Sequence, residues 1–480
     1  MIDQTLDISQ LKEKTVKVVK IASLAFLLIK ASALISQIIL ARILAPEDFG
    51  LMAFCLVVVG FLGNSINFRM HDAIVQVENN EENMLNAAFT LQLFMSIILM
   101  AVVLIFSQKI SIALNRPVIA VYLSVLSFKI LTPAFVMPQA LLHRRLDYKS
   151  IKIPEVAESL VDSLVSIILA IMGFGIWSLI WGVMSGWFVS VIIILVFAGG
   201  MPKFSFNFAL LRKILKFSLP LYLAFFLNWI FWNGDDFIIG RLLGDRSLGY
   251  YWIAFYLAHQ FIDLRYILST ISFPVFTRLK EDKEHLEKVF AEFTKATAFI
   301  FFLIAALFIP LARPTLSLIF GEKWISATIP FMIFIGLVSL RATFGYTSEF
   351  LMGIAKTDYM LFLSLLQVSI LILIGPFAAL RFGIIGMAIT ILSAMALTWA
   401  CVIIYVKRII AINYIKTLWK TVFIAFAVGF IAFFLSRLIN NLISLILVMI
   451  ICVILYIVLF ILFDRLFIKR LKSYILEGTK

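Results

Sequence analysis

The chain has 480 residues, 63% of them hydrophobic and only 14% charged, and its mean hydropathy is +1.08, which excludes a soluble domain and makes it a polytopic membrane protein. A net charge of +14 does not imply nucleic acid here, because Lys and Arg fall in small groups between apolar runs, where the positive-inside rule puts them. Cys55, Cys401 and Cys452 all lie inside apolar runs, so no disulfide framework, metal site or cofactor is expected.

Residues 1–19 are polar, carry no cleavable signal and are expected to remain as a cytoplasmic segment. About fourteen apolar runs of membrane-spanning length follow. The first, 20–41, holds Lys30 alone in AFLLIKASALI. At about 1.5 Å per residue this lysine falls close to the bilayer midplane, too deep to snorkel easily. The second, 50–74, ends in NFRMHDAIVQ, where Arg69, His71 and Asp72 read either as a gate or as interfacial anchors. After 84–106, the fourth run, 118–142, has Lys129 near its centre and candidate kinks at Pro133 and Pro138. The fifth, 153–173, carries Glu155, Glu158 and Asp162, acids able to bind a coupling cation, and 176–198 closes the first set. The seventh, 214–238, ends in Asp235 and Asp236. The eighth, 249–275, carries His259, Asp263 and Arg265, and the two-residue spacing places Asp263 and Arg265 on different helix faces. Arg341 lies near the middle of the tenth, 324–350, which follows 290–312. Runs 358–380, 383–406, 418–437 and 441–463 complete the series.

The basic clusters fall on one side if the N-terminus is cytoplasmic, which gives an even helix count with both termini inside. The chain also repeats itself. ARILAPEDFG (41–50) matches GRLLGDRSLG (240–249), EENMLNAAF (81–89) matches DKEHLEKVF (282–290), and SIALN (111–115) matches SLIFG (317–321). RRLDY (144–148) then matches AKTDY (355–359), and FGIWSLIWG (174–182) matches FGIIGMAIT (382–390). All five are collinear at separations of about 199 to 211 residues. The expected architecture is all-α, with two parallel-repeat six-helix lobes around a central cavity: an N-lobe at 20–200 and a C-lobe at 201–410. Two extra helices and a cytoplasmic tail fill 411–480. Parallel halves of this kind support alternating access.

On the repeat, Lys129 and Arg341 fall within one residue of equivalence, so each lobe carries two cations at depth: Lys30 with Lys129, and Arg265 with Arg341. Facing lipid, the four would cost on the order of 10–14 kcal/mol. They must therefore line a wet cleft or pair with acids, of which Asp162, Asp235, Asp236 and Asp263 are the candidates. A cationic cavity calls for an anionic cargo: at an effective dielectric near 20, a charge pair about 8 Å apart is worth about 2 kcal/mol, enough for reversible binding of a diphosphate.

The blocks ARILAPEDFGLMAF, LLHRRLDYKSIKIPEVAESLVDSLVSIILAIMGFGIWSLIWG, DDFIIGRLLGDRSLGYYWIAFYLA, FPVFTRLKED and IFGEKWISA resemble the polysaccharide transporter family. The likeness is to its Wzx-type oligosaccharide flippases, within the multidrug/oligosaccharidyl-lipid/polysaccharide exporter superfamily. That resemblance implies a multi-pass protein of the bacterial inner membrane that moves oligosaccharide units linked to undecaprenyl diphosphate, for O-antigen, capsule or exopolysaccharide. It implies membrane lipids as surroundings, H⁺ or Na⁺ as coupling ions, and polymerase or co-polymerase partners. Relatives tend to carry small residues where this chain has Arg69, Met70, His71 and Asp72, which puts the inner gate or cargo choice in question. A drug or peptidoglycan-lipid exporter of the same superfamily is the alternative. A membrane polysaccharide polymerase fits less well, because no large external loop or nucleophile constellation is present, and the chain is expected not to be an enzyme.

Overall fold

The computed structural model describes residues 8–76, 81–145, 147–278, 282–345, 357–408, 412–465 and 467. Every regular element among them is helical, as a bilayer requires of a chain that must satisfy its own backbone hydrogen bonds. Two compact units are present, Met1–Arg241 and Leu242–Lys480.

The first unit contains α1 (Ile8–Ile43), α2 (Pro46–Ser65), α3 (Met70–Gln76) and α4 (Glu81–Ala113), then α5 (Ile119–Leu126), α6 (Thr132–Phe135) and α7 (Gln139–Arg144). It continues with α8 (Tyr148–Ile171), α9 (Ile176–Phe197) and α10 (Phe208–Leu243), whose last two residues pass the unit boundary. Local chemistry sets several starts. Pro46 occupies the first turn of α2, where a missing N–H costs nothing, and the Asp48 carboxylate accepts the Ala45 N–H at 3.0 Å. Asp147 caps α8, accepting from the Ser150 backbone N–H at 3.2 Å and its hydroxyl at 2.6 Å. The predicted second span is shorter than its apolar run, because Arg69 adopts φ +55° and separates α2 from α3. The predicted fourth span is broken: a 3₁₀ segment, Ser127–Leu131, joins α5 to α6, with Pro133 in the first turn of α6 and Pro138 at the N-cap of α7.

α10 packs antiparallel on α2. Phe237 stacks on Phe54 at 5.6 Å, Phe226 meets Phe61 at 5.7 Å, and the Tyr222 hydroxyl donates to the Ser65 carbonyl at 2.8 Å. Between these, a Cβ on Gly60 would stand 3.0 Å from the Trp229 ring. At the far end the Arg116 guanidinium lies 4.4 Å over the Phe54 ring and donates to the Gly240 carbonyl, while Arg241 donates to the Leu114 carbonyl at 2.6 Å. By its contacts, therefore, residues 208–241 go with the first unit.

The second unit contains α11 (Asp245–Arg278), α12 (Lys283–Phe308), α13 (Ala312–Thr315), α14 (Thr328–Phe344), α15 (Thr357–Val406), α16 (Tyr414–Leu435) and α17 (Leu442–Phe463). α15 is two helices joined at Gly383, whose φ of 62° and ψ of −148° interrupt the helix. One core gathers Phe276, Phe290, Val402, Val406 and Leu418. A second unites Leu307, Leu311, Ile424, Val428, Val448, Tyr456 and Phe460. There the Tyr456 hydroxyl donates to the Phe299 carbonyl at 2.9 Å, and Lys295 Nζ donates to Asp464 Oδ2 at 2.5 Å while lying 4.8 Å over the Phe467 ring.

The repeat is visible in the backbone. Gly175 (φ 55°, ψ −133°) and Gly383 (φ 62°, ψ −148°) are equivalent by sequence and share a conformation that side-chain-bearing residues rarely adopt. Asn115 and Gly321 are likewise equivalent, and both have positive φ. Leu85 and Phe89 are buried in the first unit as Leu286 and Phe290 are in the second.

Ten segments among the described residues are long and apolar enough to cross a membrane, which makes this a multi-pass, all-α membrane protein. One of the ten, Leu361–Val406, covers both helices of α15, and a shorter apolar stretch covers Ile119–Phe135.

Candidate anion-binding site

In the first unit, α1 and α8 meet where the Ser32 and Ser159 hydroxyls share a hydrogen bond of 2.8 Å. Lys30 stands two residues before Ser32, with its ammonium 5.9 Å from the Phe26 ring. Glu158 stands one residue before Ser159, and its Oε1 lies 3.9 Å from Lys129 Nζ. That separation exceeds a charge-assisted hydrogen bond, so the pair attract without being locked together. One turn on, Asp162 Oδ1 accepts the Ser166 hydroxyl at 3.1 Å. The 3₁₀ segment positions Lys129: it winds about three residues per turn, so Phe128 and Leu131 share one side and Lys129 points about a third of a turn away.

The acids on α8 are held by glycines on α9. A Cβ on Gly182 would fall 1.8 Å from Ser166 Oγ and 2.6 Å from Asp162 Oδ1. One on Gly186 would fall 2.6 Å from the Glu158 carbonyl oxygen. Small residues at this spacing let membrane helices approach backbone to backbone.

In the second unit, α11 and α14 bring both predicted arginines together. The Arg341 guanidinium lies 3.3 Å from His259 Nε2, and the His259 ring stacks on Phe255 at 4.3 Å. The Arg265 guanidinium rests on Gly345, one turn beyond Arg341. A Cβ there would lie 2.6 Å from Arg265 Cζ and Nε. Arg341 occupies the last turn of α14. Asp263 is on α11, but its side chain lies outside the described residues.

Near the start of α3, Arg69 Nη2 pairs with Asp72 Oδ2 at 2.6 Å, and His71 Nδ1 lies 3.6 Å from Asp72 Oδ1. Arg69 also covers the Phe225 ring at 4.8 Å. His143 joins this group with its ring edge-on to His71 at 5.3 Å. Burial pushes the His143 imidazole below its usual pKa, and the neighbouring His71 acts in the same direction. Asp147, at the α8 cap, is held below the usual carboxylate range by the Ser150 hydroxyl. Asp235 is buried on α10 at 3% exposure, and Asp236 beside it is half-buried.

Sequence reasoning named all four cations but neither Gly345 nor the α9 glycines. The i, i+4 spacing of Glu158 and Asp162 opposite that of Gly182 and Gly186 was the signal available for the second.

Two halves of helices with cations inside apolar spans define a transporter-type membrane fold, and solved structures share it. The lipid II flippase MurJ, in an inward closed conformation, superposes with a TM-score of 0.77 over 92% of this chain and 98% of its own, at 15% identity. An inward-facing multidrug resistance MATE family transporter superposes at 0.63 over 79% and 95%, at 16% identity. The family follows from the sequence: residues 39–329 match the polysaccharide biosynthesis protein family, and the chain belongs to it. Relatives include a membrane protein of the cps region of Klebsiella pneumoniae, 25% identical over 81% of both chains. The lipopolysaccharide biosynthesis protein WzxC of Escherichia coli K12 is 24% identical over 72% of both. The succinoglycan biosynthesis transport protein ExoT of Rhizobium meliloti is 26% identical over 60% of this chain and 58% of its own.

Proposed function

We propose that this protein is a flippase for lipid-linked oligosaccharide, carrying repeat units on a polyprenyl diphosphate across the bacterial inner membrane for surface polysaccharide synthesis. It acts as a transporter by alternating access rather than as an enzyme, with fourteen spans and both termini cytoplasmic. The observation that carries this reading is the meeting of Arg265 and Arg341 beside His259 and Gly345. Guanidinium groups offer planar, forked donors that match phosphate oxygens, and two of them on facing helices suit a diphosphate. Lys30 and Lys129 supply the first unit's cations, and Asp162, Asp235, Asp236 and Asp263 are the acids through which H⁺ or Na⁺ would couple. Arg69, His71 and Asp72 form the inner gate. The relatives' roles in lipopolysaccharide and succinoglycan synthesis support this class of cargo, and a polymerase is the partner expected to take the product.

A deletion strain complemented with the wild-type protein or the Lys30→Ala/Arg341→Ala double variant provides the test. Surface polysaccharide should be lost with the variant while lipid-linked units accumulate in the inner leaflet. Normal export by the double variant at normal protein level would overturn the reading.

A further inference from the structure

In the second unit α11 and α14 lie side by side, and the faces they share carry a ladder of rings that ends at Arg341. Tyr251, Phe255 and His259 follow one another at four-residue spacing on α11, which puts them on one face. On α14, Phe334 and Arg341 stand seven residues apart, about two turns and so again on one face. Phe334 is fully buried and meets both Tyr251 and Phe255 edge to face, with ring centroids 5.1 and 5.2 Å apart. Phe255 in turn stacks on the His259 imidazole at 4.3 Å. The ladder therefore sets the plane of the imidazole, and His259 Nε2 lies 3.3 Å from Arg341 Nη1. A guanidinium donates and cannot accept, so Nη1 donates and Nε2 accepts. That fixes His259 as the neutral ring with its hydrogen on Nδ1. The backbone under Arg341 is held as well, because the Ser339 hydroxyl donates to the Phe301 carbonyl of α12 at 2.9 Å. With helix and imidazole both fixed, the fork of Arg341 takes its orientation from α11.

We infer that His259 is a positioning residue that makes this site selective for a diphosphate over a single phosphate. This rests on the flippase reading above. Arg265 is placed by other means, against Gly345, and one guanidinium is enough to fork onto the oxygens of one phosphoryl group. A second phosphoryl group gains in full only if a second guanidinium already points at it, since a long side chain that must be ordered on binding forfeits much of what it contributes. His259 removes that loss for Arg341. Its effect therefore falls on the second phosphoryl group and not on the first. Both His259 and Arg341 are half-buried, so the guanidinium is held without being closed off from an anion.

The test uses purified full-length protein in phosphatidylcholine nanodiscs, titrated separately with inorganic diphosphate and inorganic phosphate. His259→Phe keeps a ring against Phe255 and removes the acceptor; it should weaken diphosphate binding about tenfold and leave phosphate binding within about twofold. His259→Gln, whose Oε1 can accept from Arg341, should restore the diphosphate affinity. Added to Arg341→Gln, His259→Phe should change nothing further. Wild-type diphosphate affinity in His259→Phe, equal loss of both anions, or a His259→Gln protein no better than His259→Phe would overturn the inference. The flippase reading survives any of these results if Arg341→Gln binds diphosphate more weakly than the wild type. No diphosphate binding by the wild type would sink both. A second measurement needs no ligand: the chain has 4 histidines, and the nitrogen-15 histidine signal that disappears in His259→Gln should be that of a neutral ring with its hydrogen on Nδ1. A hydrogen on Nε2 would overturn the inference whatever the titrations give.

Discussion

Replacing Gly186 by Ala tests whether the acids of α8 are placed by backbone contact with α9. The new Cβ would stand 2.6 Å from the Glu158 carbonyl oxygen and 3.0 Å from Asp162 Cβ. Ordinary contact begins at 3.4 Å, so the helices must part by about 0.8 Å, enough to forfeit a quarter to a half of the dispersion well at each contact along the seam. Overpacking of this kind costs about 1–3 kcal/mol, against which Ala gains about 0.8–1 kcal/mol over Gly in helix propensity. Because the 2.6 Å clash is with backbone that cannot rotate away, the upper part of the overpacking range applies, about 2–3 kcal/mol, and the net expectation is a loss of about 1–2 kcal/mol. Gly182→Ala differs, because its worst clash, 1.8 Å, is with the Ser166 hydroxyl, a side-chain atom that can be removed. Denaturation in mixed micelles of the single variants, and of each combined with Ser166→Ala, gives the coupling energies. Ser166→Ala should recover about 1 kcal/mol of the Gly182→Ala loss and none of the Gly186→Ala loss, whose clash is with backbone. A Gly186→Ala protein within about 0.5 kcal/mol of wild type, or rescued equally by Ser166→Ala, would mean that backbone contact with α9 does not place the acids of α8.

Gly345→Ala should expel the Arg265 guanidinium from its seat and lower export about tenfold or more, as Arg265→Gln does, with the double variant no worse than either; surface polysaccharide measured at matched protein level checks this. Lys295→Met should cost about 3 kcal/mol, because it strands the buried Asp464 carboxylate; the Lys295→Met/Asp464→Leu double variant should cost less than the single, by the same denaturation assay. For pH, His143 is held below its ordinary value of 6.5, so between that value and the lowered one the unfolded chain binds more protons. Stability should be fully present above pH 6.5 and fall as pH drops through the lowered pKa, and His143→Phe should flatten that slope in thermal unfolding. Asp147 is held below 3.8, so its contribution is present above pH 3.8 and is lost as pH falls through the lowered value; Ser150→Ala should reduce it.

Membrane class and helical repeat were legible in the sequence because a bilayer permits few solutions: hydropathy and run length find most spans, and the paired segments found the repeat. Equivalent glycines such as Gly175 and Gly383 then carry the same torsions. Breaks inside spans were less legible. Pro133 and Pro138 announced that the fourth run would bend, but not that Ser127–Leu131 would wind as 3₁₀ and so turn Lys129 away from the face of Phe128. Arg69 gave no signal of its positive φ, since a residue other than glycine takes that conformation only where its surroundings impose it. Here those surroundings are Asp72 at 2.6 Å and the Phe225 ring at 4.8 Å.

Depth along a helix can be counted from sequence, whereas direction around it and partners across it cannot. Counting found Lys30, Lys129, Arg265 and Arg341. It could not find that Arg265 needs the missing side chain of Gly345 to lie where it does, because a glycine that admits a neighbour leaves no chemical mark of its own. Nor could it join His143 to His71, since helix breaks, not periodicity, set that meeting. In both units the same device recurs: a charged group inside an apolar span is seated against the backbone of the facing helix where a glycine clears the space. Gly182 and Gly186 do this for Asp162 and the Glu158 turn, and Gly345 does it for Arg265. In each case the space left by the missing Cβ helps to set where the charged group lies.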